Sequence, residues 1–145
     1  MQLLAALRPF RGEVLLTLLL IAVLTVACQA QAAANEITVP ISPVAGQQAH
    51  GTATLKSGPG TNQYTVTVTM DGLSPGQHPE HIHQGACPNP GAIAVPLTTL
   101  NAGADGKASA TTTVNGQLSS VTDGQHSINV HQPNLAQVAC GTIPK

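Results

Sequence analysis

Tryptophan is absent, and one phenylalanine and one tyrosine are the whole aromatic content of the 145 residues. Phe10 lies near the N-terminus, so Tyr64 is the single aromatic of the rest of the chain. The core must therefore come from Val, Ile, Leu, Ala and threonine methyls, each worth about 1–3 kcal/mol on burial. Such a thin core gives a covalent cross-link or a bound metal more weight than it has in an aromatic-rich domain. Charge is scarce as well: Asp, Glu, Lys and Arg make up 8% of the chain and the formal net charge is -1. Arginine occurs only at positions 8 and 11, and Lys56, Lys107 and Lys145 are scattered. No basic stripe exists, which excludes an electrostatic nucleic-acid binder. There is no internal repeat, no charge run and no convincing amphipathic helix. The longest apolar run falls short of the roughly 18–20 residues that span a bilayer.

That run, Val14 to Ala27, follows Arg8 and Arg11 and has the length of a signal-peptide core. It closes on Thr25-Val26-Ala27-Cys28, which resembles a bacterial lipobox with threonine in the place usually held by leucine. Cys28 would then be the lipid anchor and first residue of the mature protein. Cleavage at Ala30-Gln31-Ala32 would instead release a soluble protein, and an uncleaved anchor is a third route. All three put the domain outside the cytoplasm, as a lipoprotein of a bacterial cell envelope or a secreted protein that meets the membrane only through its N-terminal anchor. The expected organisation is a signal peptide at 1–28, a tether at 29–36 and one domain at 37–145. Lipidation of Cys28, one of three cysteines, leaves Cys87 and Cys140 as a pair for an exported disulfide; otherwise they are two buried thiols. A bond closing some fifty residues adds about 4 kcal/mol by chain entropy.

Short runs of Val, Ile and Thr, broken by Gly, Pro, Asn and Asp, predict antiparallel strands rather than helices. Eight are expected: 37–41, 48–55, 63–70, 77–83, 93–97, 107–114, 127–131 and 138–143. The clearest is Tyr64-Thr65-Val66-Thr67-Val68-Thr69-Met70, with Tyr64, Val66, Val68 and Met70 on one face and three threonines on the other. Gly58-Pro59-Gly60, Pro75-Gly76, Asp105-Gly106, Asn115-Gly116 and Asp123-Gly124 supply turns. The fold class is all-β, a sandwich or small barrel of about eight antiparallel strands.

The chemistry concentrates in His78-Pro79-Glu80-His81-Ile82-His83-Gln84-Gly85-Ala86-Cys87. On an extended strand His81 and His83 share a face, about 6–7 Å apart, and Ile82 faces away. Two such imidazoles suit a metal ion, although His-x-His alone is weak evidence. The second stretch is Gln125-His126-Ser127-Ile128-Asn129-Val130-His131, followed by Ala139-Cys140-Gly141-Thr142-Ile143. By parity His126 faces away from His131.

Taken in order, G-x-H-x-x-H-x-H, a later V-H and a terminal A-C-G-x-I resemble the Cu/Zn superoxide dismutases over roughly His50 to Ile143. That resemblance implies a Greek-key β-sandwich or barrel, a copper site at His81, His83 and His131, a disulfide between Cys87 and Cys140, and a supporting, non-ligating role for His78. Three imidazoles are also a sensible copper site on chemical grounds. His50 and His126 are expected to be bystanders, and Glu80 a solvated side chain. The chain departs from that family where turnover is concerned. Residues 84–125 contain no histidine, so zinc and a bridging imidazole are not expected, and Gln137 stands where the family carries an arginine that attracts superoxide. The expectation is one copper ion per chain, with weak dismutation of superoxide as the activity if there is one. Two alternatives stand beside it: a metal-free envelope scaffold or adhesion module, and a copper delivery or buffering protein that works with a copper-exchanging partner.

Overall fold

Alternating β-branched and small polar residues produce a sheet with one dry face, and this sheet curls on itself. The computed structural model describes residues 36–58 and 62–145. Cys28, the expected signal segment and nearly all of the tether lie outside the described residues. Ten strands follow in chain order: β1 (Glu36–Pro43), β2 (His50–Ser57), β3 (Gln63–Asp71), β4 (Gly76–His78), β5 (Glu80–Gln84), β6 (Ile93–Pro96), β7 (Leu100–Ala102), β8 (Ala108–Asn115), β9 (His126–His131) and β10 (Gln137–Ile143). Eight form one antiparallel sheet in the order β6-β5-β9-β10-β1-β2-β3-β8, and β4 pairs with β7 in a two-stranded ribbon. The fold is thus all-β, with about eight antiparallel strands in a nearly closed, barrel-like sheet. The seam between the β6 and β8 ends is stitched by Thr98, just past β6, whose N–H donates to the Thr112 hydroxyl at 2.7 Å.

On β3 the inward residues Tyr64, Val66, Val68 and Met70 are buried, and their partners on β2 and β8 include Leu55, Ala53, Ala110 and Ala108. Val39 and Ile41 of β1, Ile82 of β5, and Ile128 and Val130 of β9 fill the same interior. Cross-strand partners share a face, so the outward threonines of β3 meet the outward residues of β8. Thr67 bonds Thr111 at 2.9 Å and Thr69 bonds Ser109 at 3.0 Å.

Two departures from the sequence-based strands have physical causes. The run expected at 77–83 is divided into β4 and β5 by Pro79, which has no N–H to give to a ladder. The Pro79 carbonyl still accepts from the His131 N–H at 2.9 Å, which ties the break to the end of β9. The three-residue β7 was not expected, since Leu100-Asn101-Ala102 is too short for an alternation signal and owes its form to pairing with β4.

Candidate metal centre

The centre lies on the outer face of β5 and β9. Register fixes its layout: Glu80 opposes Val130 and Ile82 opposes Ile128 on the inner face, while His81 opposes Asn129 and His83 opposes Ser127 on the outer face. On β10, Gln137 opposes His131 and Cys140 opposes Asn129. The three imidazoles of His81, His83 and His131 form a nearly equilateral triangle with ring centroids 5.6, 5.4 and 5.5 Å apart. One nitrogen from each lies within 4.8 Å of the others. Among the described residues this is the one group of three or more His, Cys, Asp or Glu side chains so arranged.

Loop carbonyls set two of the tautomers. A carbonyl can only accept, so His83 donates its Nδ1–H to Gly91 O at 2.9 Å, and His131 donates its Nδ1–H to Leu135 O at 3.1 Å. That leaves the lone pairs of His83 Nε2 and His131 Nε2, both buried and without a partner; His81 Nδ1 is buried and unpartnered too. Three buried nitrogens without partners, converging on one point, would each carry a desolvation cost if nothing bound there. Desolvation, chiefly, holds His81 and His131 below the ordinary imidazole range, with repulsion from His83 adding to it in both. Both are therefore neutral, as coordination requires, at neutral pH. The donor set fits a borderline transition-metal ion.

The surroundings hold this geometry. Cys87 and Cys140 are disulfide-bonded, with Cα atoms 5.9 Å apart, and the Cys87 N–H donates to Thr142 Oγ1 at 3.1 Å. The bond therefore pins the loop that carries the Gly91 carbonyl onto β10. His78 is fully buried and contributes no lone pair to the cluster; its Nδ1 lies 2.8 Å from His131 O and its Nε2 2.8 Å from Ser74 O. It braces the corner before β4 against the backbone of His131. Of the other histidines, His126 pairs with Asp123 at 2.9 Å and exposed His50 bonds Gln48 O at 3.0 Å; neither reaches the cluster.

Sequence reasoning missed three features here. The orienting carbonyls of Gly91 and Leu135 are backbone atoms and leave no trace in side-chain chemistry. A polar row, in which half-buried Gln137 donates from Nε2 to Asn129 Oδ1 and buried Asn129 donates from Nδ2 to Ser127 Oγ, runs beside the imidazoles. Its signal was available, because Ser127, Asn129 and His131 share strand parity. Glu80, expected to be solvated, is instead 1% exposed on the inner face, and desolvation raises its carboxyl pKa to about 8. Parity with Ile82 forces it inward.

Compared with known protein families, residues 29–137 match the CHRD domain. No curated protein matches the chain. The family match covers well over half of the sequence and overturns the resemblance to the Cu/Zn superoxide dismutases, and the expectation of superoxide dismutation falls with it. The ordered histidine and cysteine motifs have a local cause in this chain: one strand pair bears the three imidazoles, and a cross-linked loop ties that pair to the last strand.

Proposed function

Because the chain belongs to the CHRD domain family, we propose its function from the geometry of the site alone: the domain binds one transition-metal ion, copper being the ion expected, through His81, His83 and His131. The observation that carries this is the convergence of His81 Nδ1, His83 Nε2 and His131 Nε2, all buried and unpartnered. Two of these rings are aimed by carbonyls that fix the metal-facing nitrogen, an outer-shell arrangement worth about 10–100-fold in affinity in known metal sites. Imidazole nitrogen accepts both Cu(II) and Cu(I), so a bound copper ion would supply a centre for ligand exchange or electron transfer.

The protein's role in this proposal is to hold and present the ion. Residues 84–104 contain no Asp, Glu, Lys or Arg, and neither do residues 127–144. The ion would thus be the only formal charge contributed along these stretches at neutral pH. The disulfide supports an extracytoplasmic site, since such bonds persist in oxidising compartments, and attachment through Cys28 belongs to the same proposal. Protein purified without metal resin, loaded with copper and dialysed against buffer should retain one equivalent by elemental analysis. Retention well below one equivalent would leave a metal-free envelope module.

A further inference from the structure

The three imidazoles are not held alike. His83 and His131 are each tied at Nδ1 to a loop carbonyl, whereas no carbonyl holds the ring of His81 among the described residues. Its polar neighbour across the strand, Asn129, is turned to other partners and makes no bond to His81: Oδ1 accepts from Gln137 and Nδ2 donates to Ser127 at both Oγ and O. Its neighbour on the other side, Pro96, offers no side-chain donor or acceptor. His81 is also the half-buried member of the three, while His83 and His131 are each 8% exposed. Solvent and an incoming donor therefore reach the His81 ring, whose Nδ1 alone is turned inward and buried.

Building on the metal-binding proposal above, we infer that His81 is the exchangeable ligand, through which the ion is acquired from and released to a competing donor, while His83 and His131 form the fixed clamp. In the release step an incoming neutral or anionic donor forms a bond to the ion and the bond from His81 Nδ1 breaks. The displaced imidazole leaves with its lone pair, no electron changes hands, and the ion stays on His83 and His131 until a second donor arrives. Rotation of the His81 ring breaks no hydrogen bond within the described residues. The same movement in His83 or His131 would break an N–H to carbonyl bond and leave a buried polar group unpaired. The uncharged residues around the cluster impose no charge selection on the donor, so the exchanging partner is defined by its ligand atoms.

The test uses the domain loaded with one equivalent of Cu(II), with nitrilotriacetate as the competing donor, and follows loss of the copper absorption band after rapid mixing. The parent should transfer copper at a rate that rises with nitrilotriacetate concentration. His81→Gln should still bind one ion at equilibrium yet transfer it at least about tenfold faster. His83→Gln and His131→Gln should each bind at least about tenfold more weakly than His81→Gln, because each removes a ligand together with the carbonyl contact that aims it, and such outer-shell contacts alone are worth about 10–100-fold. An unchanged melting temperature for metal-free His81→Gln checks that the fold is kept, as a half-buried outer-face position allows. Equal weakening in all three variants, or a parent transfer rate independent of nitrilotriacetate, would overturn the inference while leaving the site intact. A parent that holds no copper would remove the metal-binding proposal and this inference together.

Discussion

Strands β1, β2, β3 and β8 form one half of the barrel, and β6, β5, β9 and β10 form the other. In the first half β3 pairs with β2 and with β8 over eight consecutive residues each, without a bulge. Its inward side chains are almost all apolar and its outward ones, Pro40 apart, are polar, with threonine the commonest. In the second half the register shifts between Ile82 and His83 and again between Gln137 and Ala139. The buried polar side chains, His78, Glu80, His83, Ser127, Asn129 and His131, all lie on the second half or on β4 beside it. One half resolves every local preference in favour of the fold; the other keeps conflicts that a stability-only sequence would remove. Bulges and buried polar groups gather where a side chain must be aimed.

Five perturbations separate the two halves. Reducing the Cys87–Cys140 bond, or replacing both cysteines with serine, releases a closed loop of 53-residue separation and should cost about 2–5 kcal/mol in denaturant unfolding. It should also loosen the Gly91 carbonyl that aims His83, so copper affinity should fall with stability. Leu55→Ala, in the regular half, should cost about 2–4 kcal/mol through the cavity it leaves, but copper affinity of the folded variant should stay within about twofold. Similar coupling in the two cases would show that the halves are not separable.

Glu80→Gln tests the buried carboxyl. Because its folded pKa is raised to about 8 from 4.5, the unfolded chain loses the proton near pH 4.5 while the folded domain keeps it until about pH 8. This group's contribution is therefore fully present below pH 4.5 and declines as pH rises through that window. The substitution should change stability little at pH 4 and raise it by about 1–3 kcal/mol at pH 8, the remaining amide burial limiting the gain. His81 and His131 act in the opposite direction: their folded pKa values are depressed, so stability of the metal-free domain falls as pH drops below about 6.5, where the unfolded imidazoles take protons. Copper should be released on that acidic side and not near pH 8. Thr67→Ala, which removes an exposed hydroxyl pair with Thr111, should change stability by less than about 0.5 kcal/mol.

The first half was legible from the alternation of its residues. Thr65-Val66-Thr67-Val68-Thr69 alternates too regularly to be anything but a half-buried strand, and the inward identity of Tyr64 and Met70 followed from parity. In the second half the same rule correctly put His81 and His83 on one face, but it could not show what met them there. Pro79 cut one expected strand into two, and a three-residue strand escaped notice because pairing, not its own sequence, makes it. Glu80 was misread because a carboxylate with no assignable role was given the solvated default, whereas its parity with Ile82 points into the barrel. The motif order led to the wrong family because it rests on a few histidines and cysteines, whereas the family match spans residues 29–137.

The most direct measurement is a calorimetric copper titration of the metal-free domain at neutral pH, run in parallel on the parent, His83→Gln and His131→Gln. One tight equivalent in the parent, lost in both variants while their disulfide and fold persist, is the predicted result. Copper bound equally tightly by all three proteins would mean that the converging nitrogens of His81, His83 and His131 are not a metal site.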